Sequence, residues 1–487
     1  MTLAVLSEDD VRQLLENLNQ DEAETLADIL KCALHEYSTG TQLIDAGLIH
    51  QPERTSIHSN ATGATTLFMP SCSPVGHAVK VVSVSSPLAD PSLPTIKPTG
   101  SVSLYSPDGN PIGFLHAQTL TAFRTALGST CLLMKRATVR TLTVFGSGLQ
   151  AYWHIRLALL LRGQTIRTVN IINRRFSDNA KLILKKFYAV PAEVKQREGW
   201  EATRFSVLTP GYGEYGRLQK EHIRDADVIY CCTPSTEDLF DASILTNHEG
   251  RKKGRLIVAV GSYTKNMREL PKELLLQATK PHPSGHFHYH KHALEGGVVI
   301  VDTLDGALKE AGEIVEAGLE PNQLVELGEL VMIDKLAKEE ESLVSVPSTE
   351  NSSVSDYFDR LDLTSTGSAM STVFGSSDSN ASAGRNSIDN NGSPHDKRSS
   401  SHSPHRRRRS AGLSLPFHRR TSSQQSNSEK QQQQQQQQRD DHLARWLTTG
   451  NVIYKSVGLG LMDLVIGLEV VRLAREKGVG CHIDNFS

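Results

Sequence analysis

Nothing in the bulk composition of this 487-residue chain points to nucleic acid, a membrane or an oxidising compartment. Lys and Arg (52) nearly balance Asp and Glu (54), so overall charge gives no drive toward a polyanion or an acidic bilayer. Six cysteines, Cys32, Cys72, Cys131, Cys231, Cys232 and Cys481, show neither a C-x-x-C spacing nor a disulfide framework, which fits reduced thiols. No apolar run approaches the roughly 20 residues that a membrane span needs. Met1 to Leu6 lacks the basic start and long apolar core of a secretory signal. The cytoplasm is therefore the expected compartment. Hydrophobic residues, at 38%, are few for a compact protein of this length, so part of the chain is expected not to fold.

That part is conspicuous. From about Glu340 to Asp440 the chain is rich in Ser, Asn, Arg and Gln, with an Arg406–Arg409 run and a pure Gln431–Gln438 tract. Such a segment buries too little apolar surface to offset its ordering entropy, and disorder is expected over 340–440. Arg406–Arg409 and Arg419-Arg420-Thr421-Ser422 have the character of an import signal or kinase sites, but a basic patch in a drifting low-complexity segment is the favoured reading. Order is expected again from about Leu443, with a strand-turn piece and a helix between Asn451 and Gly478. The low-complexity stretch then reads as an insertion inside a folded unit.

The N-terminal part predicts two helices. Ser7 and Asp10 have capping-box spacing ahead of the apolar stripe Val11, Leu14, Leu15 and Leu18, and a second helical period runs from about Asp21 to Tyr37. Strands follow over His77–Ser85, Gly100–Tyr105 and Pro111–His116, then a helical period over Thr121–Arg136. Beyond that, short apolar strands alternate with amphipathic helices: Arg140–Phe145, Leu149–Arg162, Thr168–Asn173, Ser177–Tyr188, Val228–Cys232, Leu256–Val260 and Val298–Asp302, with a helix over about Leu304–Glu316. This alternation predicts an α/β fold with a parallel sheet covered on both faces.

Between the first such strand and helix lies Gly146-Ser147-Gly148-Leu149-Gln150-Ala151, a G-x-G-x-x-A turn in the right context. Glycines there bring backbone N–H groups close to a pyrophosphate at the positive end of a helix, the mark of a Rossmann dinucleotide site. The next strand ends in Asn173-Arg174-Arg175, where an NAD site usually carries an acidic residue. Two arginines suit a 2′-phosphate, so NADP is expected, with NAD possible in its place. Thr233, after the strand Val228–Cys232, completes the expected cofactor-binding set.

Lys80 lies in an apolar strand row with Ala78, Val82 and Val84, either snorkelling at an edge or facing a pocket that needs a cation. Arg124 near a helix start and Arg54 in Gln51-Pro52-Glu53-Arg54-Thr55 are each compatible with a surface role. Together these pieces resemble the ornithine cyclodeaminase and mu-crystallin superfamily. The resemblance adds Met69-Pro70, Leu120-Thr121-Ala122-Phe123-Arg124-Thr125-Ala126, Asp302-Thr303 leading into Ala307 to Glu313, and Tyr454-Lys455-Ser456-Val457-Gly458 before Asp463. The matches are collinear and span the chain apart from about Glu340–Asp440.

The resemblance implies a homodimer. It also implies an α+β substrate-binding and dimerisation domain over 1–130, an NAD(P)-binding Rossmann domain over 131–339, and a segment 443–487 that returns to the first domain. Arg54, Lys80 and Arg124 would bind a small amino-acid or cyclic imine substrate, the arginines gripping an α-carboxylate. Lys80 and Arg124 would be catalytic, Lys80 as carboxylate partner or proton donor, and Ser101 would touch the cofactor. One departure matters. Cyclodeaminases of this family carry an Asp where this chain has Tyr263, a poor base with an ordinary pKa of about 10. The expected activity is therefore imine reduction or amino-acid oxidation by hydride transfer. An ornithine cyclodeaminase-like lyase using Asp305 or Glu310 stays open, as does a non-catalytic NADPH-binding, crystallin-like role. The cluster His282, His286, His288, His290 and His292 has neither acidic nor thiol partners and reads as a solvent loop, so no metal is expected.

Overall fold

The computed structural model describes residues 2–40, 48–85, 92–93, 95–280, 296–331 and 446–486. The expected disordered insertion, its basic runs and the His282–His292 cluster lie outside these residues. Among the described residues no helix is long and apolar enough to cross a membrane, and all six cysteines are free.

The first sheet comprises β1 (Leu3–Leu6), β2 (Thr55–Ser59), β3 (Ala64–Ser73), β4 (Gly76–Ser85), β5 (Thr99–Tyr105), β6 (Pro111–His116) and a strand from the chain end, Cys481–Ile483, in that chain order. It has seven strands, with the Cys481–Ile483 strand at one edge and β2 at the other. Capping explains the entry helix α1 (Glu8–Glu16): the Asp10 N–H donates to the Ser7 hydroxyl and the Ser7 N–H donates to the Asp10 carboxylate. α2 (Gln20–Gly40) follows. Sequence period misses β1, because four apolar residues without alternation acquire strand partners only from β6 and the Cys481–Ile483 strand, each over a hundred residues away.

Alternation along β4 gives the first sheet two different faces. Ala78 and Lys80 are buried, while Val79 between them is exposed. The inner face aligns Met69, Lys80 and Val102 in one cross-strand row, under α1, α3 (Ala117–Leu133) and the C-terminal helix Gly460–Lys477. The outer face leaves Ile57 at 56%, Val79 at 37% and Phe114 at 47% exposure.

The second sheet is all parallel. Its strands are β7 (Thr141–Phe145), β8 (Thr168–Ile172), β9 (Arg204–Leu208), β10 (Val228–Cys231), β11 (Leu256–Ala259), β12 (Val298–Val301), β13 (Leu324–Glu326) and β14 (Val452–Lys455). The Cys481–Ile483 strand of the first sheet is accordingly β15. The order β9-β8-β7-β10-β11-β14-β12-β13 reverses direction between β7 and β10, as in a doubly wound Rossmann sheet. The expected α/β class and Rossmann unit are thus present. β14 slots between β11 and β12, so the segment after the insertion first completes this sheet and only then reaches the first one through its helix. The single helix expected over Leu304–Glu316 is two, Leu304–Glu310 and Gly312–Ala317. Ala311 between them leaves helical geometry (ψ 102°) as Glu313 is drawn into a buried network with Ser262 and Lys455.

Candidate functional site

The cofactor turn sits where the parallel sheet reverses. Gly146 has φ +104°, and a Cβ there would come within 2.9 Å of the Cys232 carbonyl oxygen and of Thr233 Cγ2. Gly146 and Thr233 are therefore packed together at the switch point between β7 and β10, where open α/β sheets bind ligands. Gly148 is the N-cap of α4 (Leu149–Arg162), makes no side-chain cap bond, and has nothing within 4 Å of where a Cβ would lie. A positive helix end with uncapped N–H groups and open space above it fits a dinucleotide pyrophosphate. Ala151 is fully buried against the sheet, Ser147, Leu149 and Gln150 are partly exposed, and the Gln150 side-chain oxygen is buried without a partner. At the end of β8, Asn173 donates from its side chain to the Arg175 carbonyl (2.8 Å) and shapes the turn. Arg174 and Arg175 are exposed beside it.

Two of the three expected substrate-site cations converge. Lys80 Nζ donates to both oxygens of Asp463 (3.0 and 3.1 Å), and Arg124 Nε donates to Asp463 Oδ1 (3.3 Å). All three side chains are buried, Asp463 completely. Lys80 comes from β4, Arg124 from α3, and Asp463 from the first turn of the C-terminal helix, where the macrodipole favours a carboxylate. Burial pushes the Lys80 ammonium down to about 8, opposed by Asp463 and reinforced by Arg124 and Arg54.

The loop before that helix is seated on Arg124. Gly458, at φ +84°, would place a Cβ 2.8 Å from both terminal nitrogens of the guanidinium. Asp302 holds the same loop by accepting from the N–H groups of Val457 and Gly458 and from the Ser456 hydroxyl. Gln51 fixes the helix start, accepting from the Leu461 N–H and donating to the Pro70 carbonyl (2.8 Å each).

Arg54 stands apart. Its Nε and a terminal nitrogen engage both oxygens of Glu310 (2.6 and 2.5 Å), and the same terminal nitrogen donates to the Tyr263 carbonyl (2.6 Å). These residues line a cleft of about 360 Å³ between the two sheets, together with Thr65, Leu67 and Val84 from the first sheet and Tyr263–Met267 from the second. Tyr263 brings no carboxylate to the cleft, and burial raises its phenol above the usual range. Of the two acids weighed as substitutes, Glu310 lines the cleft, while Asp305 is exposed and paired with Lys309. Ser101 pairs with Val81 rather than with Lys80, so it lies on the outer face, away from this cluster.

Two acids that sequence reasoning left without a role, Asp463 and Glu269, and one weighed only as a substitute acid, Glu310, now have partners. Asp463 is legible as the one acid in the apolar run Leu461-Met462-Asp463-Leu464-Val465-Ile466, since a buried acid demands a buried base. Glu310 had no signal beyond the motif around it. Glu269 is completely buried and accepts from the N–H groups of Thr233 (2.8 Å) and Gly261 (2.6 Å), tying together the loops after β10 and β11. Burial pushes its carboxyl up to about 7 against the pull of Lys455. Nothing in its sequence surroundings predicts that clamp.

Comparison with known proteins bears on this geometry. Residues 7–201 match the ornithine cyclodeaminase/mu-crystallin family. The chain is 27% identical over 320 residues to ketimine reductase mu-crystallin of Mus musculus, covering 65% of this chain and 84% of the relative. Its fold is similar to that of Thermococcus litoralis Delta(1)-pyrroline-2-carboxylate reductase, solved in complex with NADH and L-proline: TM-score 0.56, 17% identity, 99% of this chain and 100% of the other covered. An archaeal alanine dehydrogenase dimer with bound NAD gives a TM-score of 0.55 at 16% identity, with both chains fully covered.

Replacing Gly146 by Ala forces a left-handed backbone on a residue with a Cβ and drives that Cβ into Cys232 and Thr233. Gly146→Ala is expected to weaken NADPH binding, read by fluorescence titration, at least tenfold while leaving the melting temperature within a few degrees. Unchanged affinity would place the cofactor elsewhere.

Proposed function

We propose, from the match of residues 7–201 to the ornithine cyclodeaminase/mu-crystallin family, an NAD(P)-dependent oxidoreductase that reduces a cyclic imine (ketimine) bearing a carboxylate, or oxidises a small amino acid in reverse. The carrying observation is the buried Lys80–Asp463–Arg124 cluster on the inner face of the first sheet. Two cations sharing one carboxylate leave one positive charge unanswered, which suits a substrate carboxylate. When bound, the nicotinamide supplies a hydride to the imine carbon. A proton must reach the imine nitrogen, and in this reading the Lys80 ammonium gives it. Arg124 orients the substrate carboxylate, Arg54 borders the substrate cleft in its pair with Glu310, and Gly146–Ala151, Thr233 and Asn173–Arg175 hold the cofactor. In this reading the first sheet, with residues 1–130 and the returning helix, serves substrate and dimerisation, and 131–339 serves the cofactor.

The finer assignments rest on particular residues. NADP is proposed over NAD because Arg174 and Arg175 are exposed at the end of β8, where no acid stands to meet ribose hydroxyls. A homodimer through the outer face of the first sheet is proposed because Ile57, Val79 and Phe114 would otherwise present apolar surface to water. The archaeal alanine dehydrogenase is a dimer, in line with the second reading, but it binds NAD, so the choice of NADP rests on Arg174 and Arg175 alone. Six free thiols, two of them exposed, suit a reducing cytoplasm.

The deciding assay follows NADPH and NADH oxidation against cyclic imine carboxylates, and against 2-keto acids with ammonia. Turnover favouring NADPH is expected, with Arg174→Ala and Arg175→Ala together erasing the preference. Ammonia release from ornithine without net cofactor change would instead select the lyase, and cofactor binding without turnover the binding-only role.

Lys80 keeps its proton below about pH 8 and loses it above. A proton-donor role therefore predicts that kcat falls as pH rises through about 8. Asp463 favours the charged ammonium, so Asp463→Asn is expected to move that limb to lower pH. A limb that stays in place while activity drops uniformly would make Asp463 purely structural. For the dimer, Phe114→Glu is expected to give monomers in sedimentation velocity with an unchanged circular dichroism spectrum, and persistence of a dimer would move the interface elsewhere.

A further inference from the structure

We infer that Glu310 is a specificity-determining residue that restricts the cleft to ligands carrying a single carboxylate and no second acidic group. This deepens the proposed function and rests on the cleft being the substrate site. Arg54 lines the cleft, and a planar guanidinium with two parallel donors is the fork that grips a carboxylate. In this protein that fork is already filled. Glu310 takes Nε with one oxygen and a terminal nitrogen with the other, and the Tyr263 carbonyl takes a further hydrogen bond. The pair is mostly withdrawn from water, at 15% side-chain exposure for Arg54 and 29% for Glu310, so solvent screens neither charge fully.

The other charged groups around the cleft do not compensate. Lys80 and Arg124 share Asp463 and leave one positive charge for one ligand carboxylate. Asp302 is occupied by backbone and hydroxyl donors of residues 456–458. Lys309 is exposed and held by Glu53 and Asp305, and Lys265 is exposed to solvent. Lys80 is close enough to Arg54 to feel its charge, so with a first carboxylate at Lys80 and Arg124 in the proposed reading, a second one in the cleft meets Glu310, and the other cations among the described residues that line the cleft, Lys265 and Lys309, are exposed. Like-charge repulsion in a partly desolvated cleft excludes it. Substrates with a neutral or cationic remainder escape that penalty.

The test uses a matched pair of flat probes, pyrrole-2-carboxylate and pyrrole-2,5-dicarboxylate, titrated by calorimetry into the full chain saturated with NADPH. Wild type is expected to bind the monoacid at least tenfold more tightly. Glu310→Gln, which keeps the shape and frees Arg54, should narrow or reverse that gap by a factor on the order of ten. Arg54→Gln, which leaves Glu310 uncompensated, should widen it. A gap unchanged in both variants, with the monoacid still bound, overturns the role of Glu310 and leaves the proposed function standing. If neither probe binds wild type, the substrate reading of the cleft falls, and this inference falls with it.

Discussion

The carboxylate of Asp463 is the point on which the architecture turns. Lys80 belongs to the first sheet and Arg124 to the helix that leads out of it into the second. Each would be a buried cation without a partner if the C-terminal helix did not deliver an acid from far along the chain. Uncompensated burial of one such charge costs several kcal/mol in proteins, and two close together cost more. The C-terminal helix must therefore return to the first sheet whatever separates it in sequence. Its apolar residues on either side of Asp463 add the burial that makes the return favourable.

The same return completes the second sheet. β14 lies between β11 and β12 and pairs with both, so residues 452–455 form an interior strand although they follow β13 in sequence by more than a hundred residues. The entropy of closing a loop grows only logarithmically with its length, so a long intervening segment is no obstacle to this pairing. One short stretch, from Val452 to Asp463, thus closes the second sheet, seats a loop on Arg124 and supplies the counter-ion of Lys80. The two sheets are coupled through it, and Asp302, following β12, secures the connection from the other side.

Much of the fold was legible because its signals are local. The alternation of apolar strand and helix over 140–301 needs no partner to be read, and the turn at Gly146 carries its own backbone requirement. Elements whose reasons are distant escaped: β1 gains its strand character from β6 and β15, β15 gains it from β1, and β2 is an exposed edge. The break at Ala311 escaped too, because it depends on Glu313 joining Ser262 and Lys455. In the site, Lys80 and Arg124 could be nominated from residue type and resemblance, but not the way their charges are shared.

By itself the sequence determined the cofactor-binding architecture and the identity of the cations, because glycine positions, strand-helix period and residue type are local properties. It also determined the missing acid at Tyr263, which is a matter of identity alone. Only the tertiary structure decided how those charges are paired. Asp463 joins Lys80 and Arg124, while Glu310 takes Arg54 for itself and Ser101 falls on the other face of its sheet. The physical reason is that a charge acts through distance and burial. Both are set by which strands and helices pack together, and residues hundreds of positions apart settle that jointly.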